Sequence, residues 1–110
     1  MHIDCINQDE TVIIKAVGSM DATTTNIFVN ACQEQLDAGK TKMVVDLSGL
    51  AYISSAGLRG VLTVLKSGRP LEALIVFCSL QPMVAEVFRI SGFTTMMPIF
   101  DTLEAALASF

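Results

Sequence analysis

A single α/β domain built on one mostly parallel sheet is what this sequence predicts, and three observations carry the prediction. The chain of 110 residues fits one domain of ordinary size, and no second domain is expected. Short apolar runs bounded by turn residues alternate with segments whose apolar residues recur at helical spacing. Two strands come first and strict alternation follows, giving the order ββαβαβαβα, in which the strand-helix-strand units form right-handed parallel crossovers.

The opening segments Ile3 to Ile6 and Val12 to Val17 read as strands, with the polar Asn7-Gln8-Asp9-Glu10 as the turn of a hairpin. From Asp21, an N-cap residue type, the run DATTTNIFVNACQEQLDAG places Phe28, Ala31, Cys32 and Leu36 on one helical face and stops at Gly39. KMVVDL, residues 42 to 47, is expected to be a short buried strand, followed by a loop and a helix carrying Leu58, Val61, Leu62 and Leu65. SGRP, residues 67 to 70, breaks that helix.

LIVFC, residues 74 to 78, is apolar at every position, as suits a strand covered on both faces. Pro82 fits a first helical position and opens PMVAEVFRIS, which Gly92 ends. MMPIF, residues 96 to 100, is expected as a final strand, with Pro98 marking a sheet edge. In the closing DTLEAALASF, Asp101 and Glu104 resemble a capping box, and Leu103, Ala106, Leu107 and Phe110 form an apolar stripe.

Loops at the carboxyl ends of strands carry function in such sheets. Two loops qualify: GSMDA, residues 18 to 22, and SGLAYISSAG, residues 48 to 57.

Composition narrows the function classes. Apolar residues make up 52% of the chain, but the longest run, Ala73 to Cys78, falls far short of the ~20 residues a spanning helix needs. The first ten residues have no basic start or long apolar centre of a secretory signal, so a cytoplasmic location is expected. A net charge of −4 with only seven scattered basic residues speaks against nucleic acid and for a protein partner. Cys5, Cys32 and Cys78 are widely spaced and odd in number, which suggests buried apolar residues instead of a disulfide framework or zinc site.

Catalytic chemistry finds few supporting residues. The one histidine, His2, lies at the terminus, so a triad base is missing, and no phosphate-binding glycine motif occurs. Asp21 and Asp46 could both sit at the carboxyl edge of the sheet and hold a metal, although a helix cap for Asp21 and a strand-end turn for Asp46 are the simpler roles. No cofactor or metal is expected. Met20, Met43, Met83, Met96 and Met97 read as core filling or strand residues. Lys66, Arg69 and Arg89 read as solvated positions.

The pair Ser54-Ser55 needs more than a helix start, because one hydroxyl suffices to cap a helix. VVDLSGLAYISSAGLRGVL resembles the signature of STAS domains of the anti-sigma factor antagonist type, in which a strand leads through D-S-[SA]-G-L into the second helix. GSMDA stands where that family has G-x-[IL]-D, and FRISGF where a third helix ends in S-G-[LF]. The resemblance extends over residues 1–110 and implies one STAS domain.

What the resemblance implies is partner switching. Such antagonists bind an anti-sigma factor serine kinase and thereby free a sigma factor. The kinase then phosphorylates the serine after the motif's Asp, which ends the interaction, and a metal-dependent phosphatase of PP2C type reverses it. That target corresponds to Ser55, and the motif's Asp is replaced here by Ser54. Because both loops end on the same edge of the sheet, the partner surface is expected at Asp21 and at Ser54, Gly57, Leu58 and Arg59. Two other readings are a STAS module never phosphorylated, acting as a scaffold or a subunit beside a lipid-transport ATPase, and a small enzyme using the acidic edge of the sheet.

Overall fold

A computed structural model describes all residues, 1–110. Its strands are β1 (His2–Gln8), β2 (Thr11–Met20), β3 (Lys42–Ile53), β4 (Leu74–Cys78) and β5 (Ile99–Phe100), and its helices α1 (Thr25–Asp37), α2 (Ser55–Gly68), α3 (Pro82–Ile90) and α4 (Leu103–Ala108). Single 3-10 turns cover Arg69–Leu71 and Phe93–Thr95. The order is the predicted ββαβαβαβα. In the sheet the strands lie side by side in chain order, β1 antiparallel to β2 and all later neighbours parallel.

This strand order has a packing consequence. Crossovers of one hand between successive neighbours put all their helices on the same face. Accordingly Phe28, Cys32 and Leu36 of α1, Val61 and Val64 of α2, and Val84 and Phe88 of α3 share one core with Val12, Ile14, Met43, Val45, Ile75 and Phe77 of the sheet. The alternate positions Ile13, Val44, Val76 and Cys78 point to the other face, where they pack with Ala106 of α4. From Ile75 to Cys78 β4 is therefore buried on both sides, as its apolar run predicts, while Leu74 at its start is exposed. No helix is long and apolar enough to cross a membrane.

Several boundaries differ from expectation. β3 does not end at Leu47: twelve residues belong to it, and most of the expected loop 48–57 is strand. The Asp46 carboxylate accepts a hydrogen bond from the Ser48 amide at 2.9 Å, a turn-like local structure, but this makes a bulge and not an end. Lys15 pairs with Asp46 and Met20 with Ile53, so β3 spends two more residues than β2 over the same span. Gly49 sits in the first irregularity, where a Cβ would come within 2.8 Å of Val17 Cγ2. β2 likewise runs on to Met20, taking in part of the expected GSMDA loop.

Other corrections are local. α1 starts at Thr25 with Thr24 as N-cap, so Asp21 is not the cap. At α4 the cap is Thr102, whose hydroxyl accepts from the Ala105 amide at 3.1 Å, in place of Asp101. Only Ile99 and Phe100 of MMPIF are paired, at the sheet edge as Pro98 indicated. Cys5 is exposed on edge strand β1, while Cys32 and Cys78 are buried. Met83 and Met96 are 60% and 50% exposed and fill no core, unlike Met20, Met43 and Met97. Lys66, Arg69 and Arg89 are exposed as expected.

Candidate functional site

β2 and β3 project beyond the rest of the sheet. β4 ends at Cys78, opposite Asp46, whereas β3 continues alongside β2 for seven more residues to Ile53. This two-stranded extension carries both segments singled out in the sequence. They are joined at its tip, where the Ser54 amide donates to the Met20 carbonyl at 2.9 Å.

On the β2 side a cluster of hydroxyls shapes the turn into α1. The Asp21 carboxylate accepts from the Thr23 hydroxyl at 2.7 Å and the Thr23 amide at 2.9 Å. Those bonds, the hydroxyl's first, hold its carboxyl below the ordinary aspartate range. The Asp21 amide donates to the Thr24 hydroxyl, which itself donates to the Ser19 carbonyl at 2.7 Å. Asp21 is thus the anchor of the turn, three residues ahead of the helix cap. The Thr23-Thr24-Thr25 run, overlooked as a signal, supplies the hydroxyls that this turn consumes.

On the β3 side the two serines divide. Ser54 adopts the extended backbone of an N-cap, and its half-buried hydroxyl accepts from the Gly57 amide at 3.2 Å. Ser55 is the first residue of α2 and is exposed; its hydroxyl makes no hydrogen bond within the protein. Leu58 is half-buried against the main core, and Arg59 is exposed. Arg59, Ala56, Ala22 and Asn26 line a shallow groove of about 340 Å³ between the starts of α1 and α2.

Gly57, by contrast, is buried. A Cβ on it would lie 2.6 Å from Ile53 Cγ1 and 2.7 Å from the Met20 carbonyl oxygen, so glycine is what lets the start of α2 seat on the β2–α1 turn. The Ser54–Met20 bond sets Asp21 next to the start of α2, where Ser54, Leu58 and Arg59 neighbour Ser55 along the helix and the buried Gly57 acts as a spacer. The Met20 carbonyl, which binds one loop to the other, is a main-chain group and no side-chain pattern announces it.

The chemistry available here is that of an accessible primary alcohol beside a helix N-terminus. Asp46 does not join the site: it is 5% exposed, bonded to Ser48, and paired with Lys15, six residues before Asp21. At about 3.3 Å per residue, Asp46 lies roughly 16 Å along β2 from its end at Met20, well away from the turn that holds Asp21. No group of three or more His, Cys, Asp and Glu side chains is placed to hold a metal ion. His2 lies at the start of β1, bonded to Asp4 at 3.0 Å.

Comparison with known proteins identifies the family and the fold. The chain is 50% identical over 76 residues to BtrV of Bordetella bronchiseptica, named as a candidate anti-sigma factor antagonist; the match takes in 69% of this chain and 66% of that protein. The chain thus spans slightly under two thirds of the length of this curated relative. The crystal structure of a candidate anti-sigma factor antagonist from Thermotoga maritima superimposes with a TM-score of 0.90 at 20% identity, covering 97% of this chain and 92% of the other. The anti-sigma factor antagonist SpoIIAA in its unphosphorylated form gives 0.81 at 21% identity over 96% of this chain and 93% of its own. The phosphorylated form of the Bacillus protein gives 0.75 at 19% identity over 98% of each chain. These solved structures share the fold, and the family model for the STAS domain matches residues 2–106, so the chain belongs to the STAS domain family.

Proposed function

We propose that this protein is an anti-sigma factor antagonist which acts in the cytoplasm by binding an anti-sigma factor serine kinase, and that phosphorylation of Ser55 ends the interaction. The name of the Bordetella relative and the fold shared with SpoIIAA support the antagonist role. SpoIIAA exists in phosphorylated and unphosphorylated forms, which is the kind of switch proposed here. The observation that carries the choice of residue is the division between the serines: the Ser54 hydroxyl caps α2 by accepting from Gly57, and the Ser55 hydroxyl is left exposed and unbonded.

In this reading the protein is a regulator and not an enzyme. The kinase brings the ATP, and a PP2C-type phosphatase resets the switch. Asp21 holds the neighbouring turn in shape, while Leu58 and Arg59 add an apolar and a cationic contact beside the hydroxyl. Incubation with a cognate kinase, ATP and magnesium, followed by mass spectrometry, tests the proposal. Phosphate on Ser55 is expected in the parent protein and none on Ser55→Ala. Phosphate on Ser54, or undiminished labelling of Ser55→Ala, would refute the assignment.

A further inference from the structure

β5 pairs with β4 only at Phe77 and Cys78, so the edge of β4 at Leu74–Val76 has no strand beside it. Main-chain bonds alternate along β4: the Leu74 amide donates to the Thr41 carbonyl on the β3 side at 2.7 Å, and the Phe77 amide to the Pro98 carbonyl on the β5 side at 3.0 Å. This alternation turns the N–H and C=O of Ile75, a residue 7% exposed, to the side that β5 leaves unpaired. Along that edge runs a groove of about 400 Å³ lined by Leu62 and Leu65 of α2, Leu74, Met96, Pro98 and Arg69. Leu74 and Met96 are 55% and 50% exposed there. Arg69 is the groove's one charge and takes part in none of the protein's ion pairs, which are His2–Asp4, Lys42–Glu10 and Arg89–Glu86.

We propose that this edge is a strand-addition site: a short, extended, apolar peptide segment of a partner protein, carrying one acidic residue, bonds its main chain to Ile75 and pairs its carboxylate with Arg69. The open main-chain groups decide between occupants. An acyl chain could fill the apolar walls and meet Arg69, but only a peptide also satisfies a strand's N–H and C=O. Exposed methionine and leucine walls adapt to alternate side chains of such a strand. Arg69 stands fourteen residues beyond Ser55, about 20 Å along the helix axis. The nearest wall of the groove, Leu62, is seven residues or about 10 Å beyond Ser55, so a short peptide held at Arg69 and Ile75 leaves Ser55 free for another partner.

The test uses the full chain, ¹⁵N-labelled, titrated with the blocked tetrapeptide acetyl-Val-Ile-Glu-Val-amide while amide resonances are followed. Saturable shifts centred on Ile75, Leu74 and Met96 are expected, with the Ile75 amide moving in the direction of a stronger hydrogen bond. Arg69→Glu should weaken the peptide by about two- to fivefold, the worth of an exposed ion pair, and a Lys-for-Glu peptide should restore it. A peptide N-methylated along its backbone should not bind. Equal binding of the N-methylated peptide, decanoate saturating the groove where the tetrapeptide does not, or Ile75 shifts that follow protein concentration alone would each overturn the proposal; the last would assign the groove to a second copy of the chain. No shift at Ile75 up to about 5 mM peptide would overturn it as well. None of these results depends on Ser55.

Discussion

The Ser54 hydroxyl accepts the Gly57 amide at 3.2 Å, and this bond separates the roles of two adjacent serines. It satisfies one of the amides that the first turn of α2 would otherwise leave unpaired. Ser54→Ala should therefore cost about 0.5–2 kcal/mol of stability, the usual worth of an N-cap. Ser55→Ala should change stability by less than about 0.5 kcal/mol, as an exposed, unbonded side chain implies. Denaturant unfolding of the two variants checks this. Equal losses, or a larger loss for Ser55→Ala, would put the cap on the wrong serine. Ser54→Asp should keep the cap, since Asp is as good an N-cap and its charge faces the positive end of the helix.

Gly57→Ala should be more harmful than either serine change. Its Cβ would meet the Met20 carbonyl oxygen at 2.7 Å and Ile53 Cγ1 at 2.6 Å, and the first of these is main chain that cannot rotate away. Overpacking of this kind costs about 1–3 kcal/mol. Because the clash lies between α2 and the β2–α1 turn, amide resonances of residues 19–25 and 53–58 should move while those of α3 and α4 stay. A variant as stable as the parent with an unmoved turn would contradict the packing described here.

Much of this was legible in the sequence because it is encoded locally. The unbroken LIVFC run, Pro82 at the first position of α3 and Gly39 in the left-handed conformation after α1 each follow from the residue's own chemistry. The continuation of β3 past Asp46 was not legible. Asp-Leu-Ser-Gly has the composition of a turn, and Asp46 does bond to Ser48 as in one. The strand resumes only because β2 offers Val17 to Met20 as partners, a pairing between residues some thirty positions apart in the chain. Cys5 and Met96 were misjudged for a related reason: apolar character favours burial, but β1 is a sheet edge and β5 is too short to cover its neighbour. At the site, the paired hydroxyls were visible, whereas the main-chain bond from Ser54 to Met20 that brings the two loops together has no sequence signature.

The hydrogen bonds on Asp21 imply an acid-sensitive turn. Its folded carboxyl titrates below its ordinary value, chiefly through the Thr23 hydroxyl, so the ionised form is favoured in the folded state. The resulting stability is fully present above the unfolded value near pH 4 and is lost as pH falls through the lower folded value. Asp21→Asn retains an acceptor but cannot titrate. The parent should be the more stable at pH 7, and the gap should close as pH falls below about 4. Thermal melts of both proteins across this range decide the matter; a constant gap would mean that the carboxylate's charge plays no part.

Phosphorylation of Ser55 is expected to break the complex before it disturbs the fold. A phosphate adds about −1.5 to −2 charges and three strong acceptors. In the free protein it stands on the exposed first residue of α2, where the helix N-terminus stabilises an anion by roughly 0.3–1 kcal/mol. The melting temperature should then stay within a few degrees of the parent's. In the complex the same charge would be pressed against a surface fitted to a neutral hydroxyl, and a buried, uncompensated charge costs several kcal/mol. About 4 kcal/mol lowers affinity about a thousandfold. Ser55→Ala should therefore hold the kinase in the presence of ATP, and Ser55→Asp should bind it poorly although it melts like the parent. Calorimetry with the kinase, paired with thermal melts of the same samples, separates the two effects. Loss of binding that merely follows loss of folding would show that the phosphate acts by melting α2, and unimpaired binding of the phosphorylated protein would remove Ser55 as the switch.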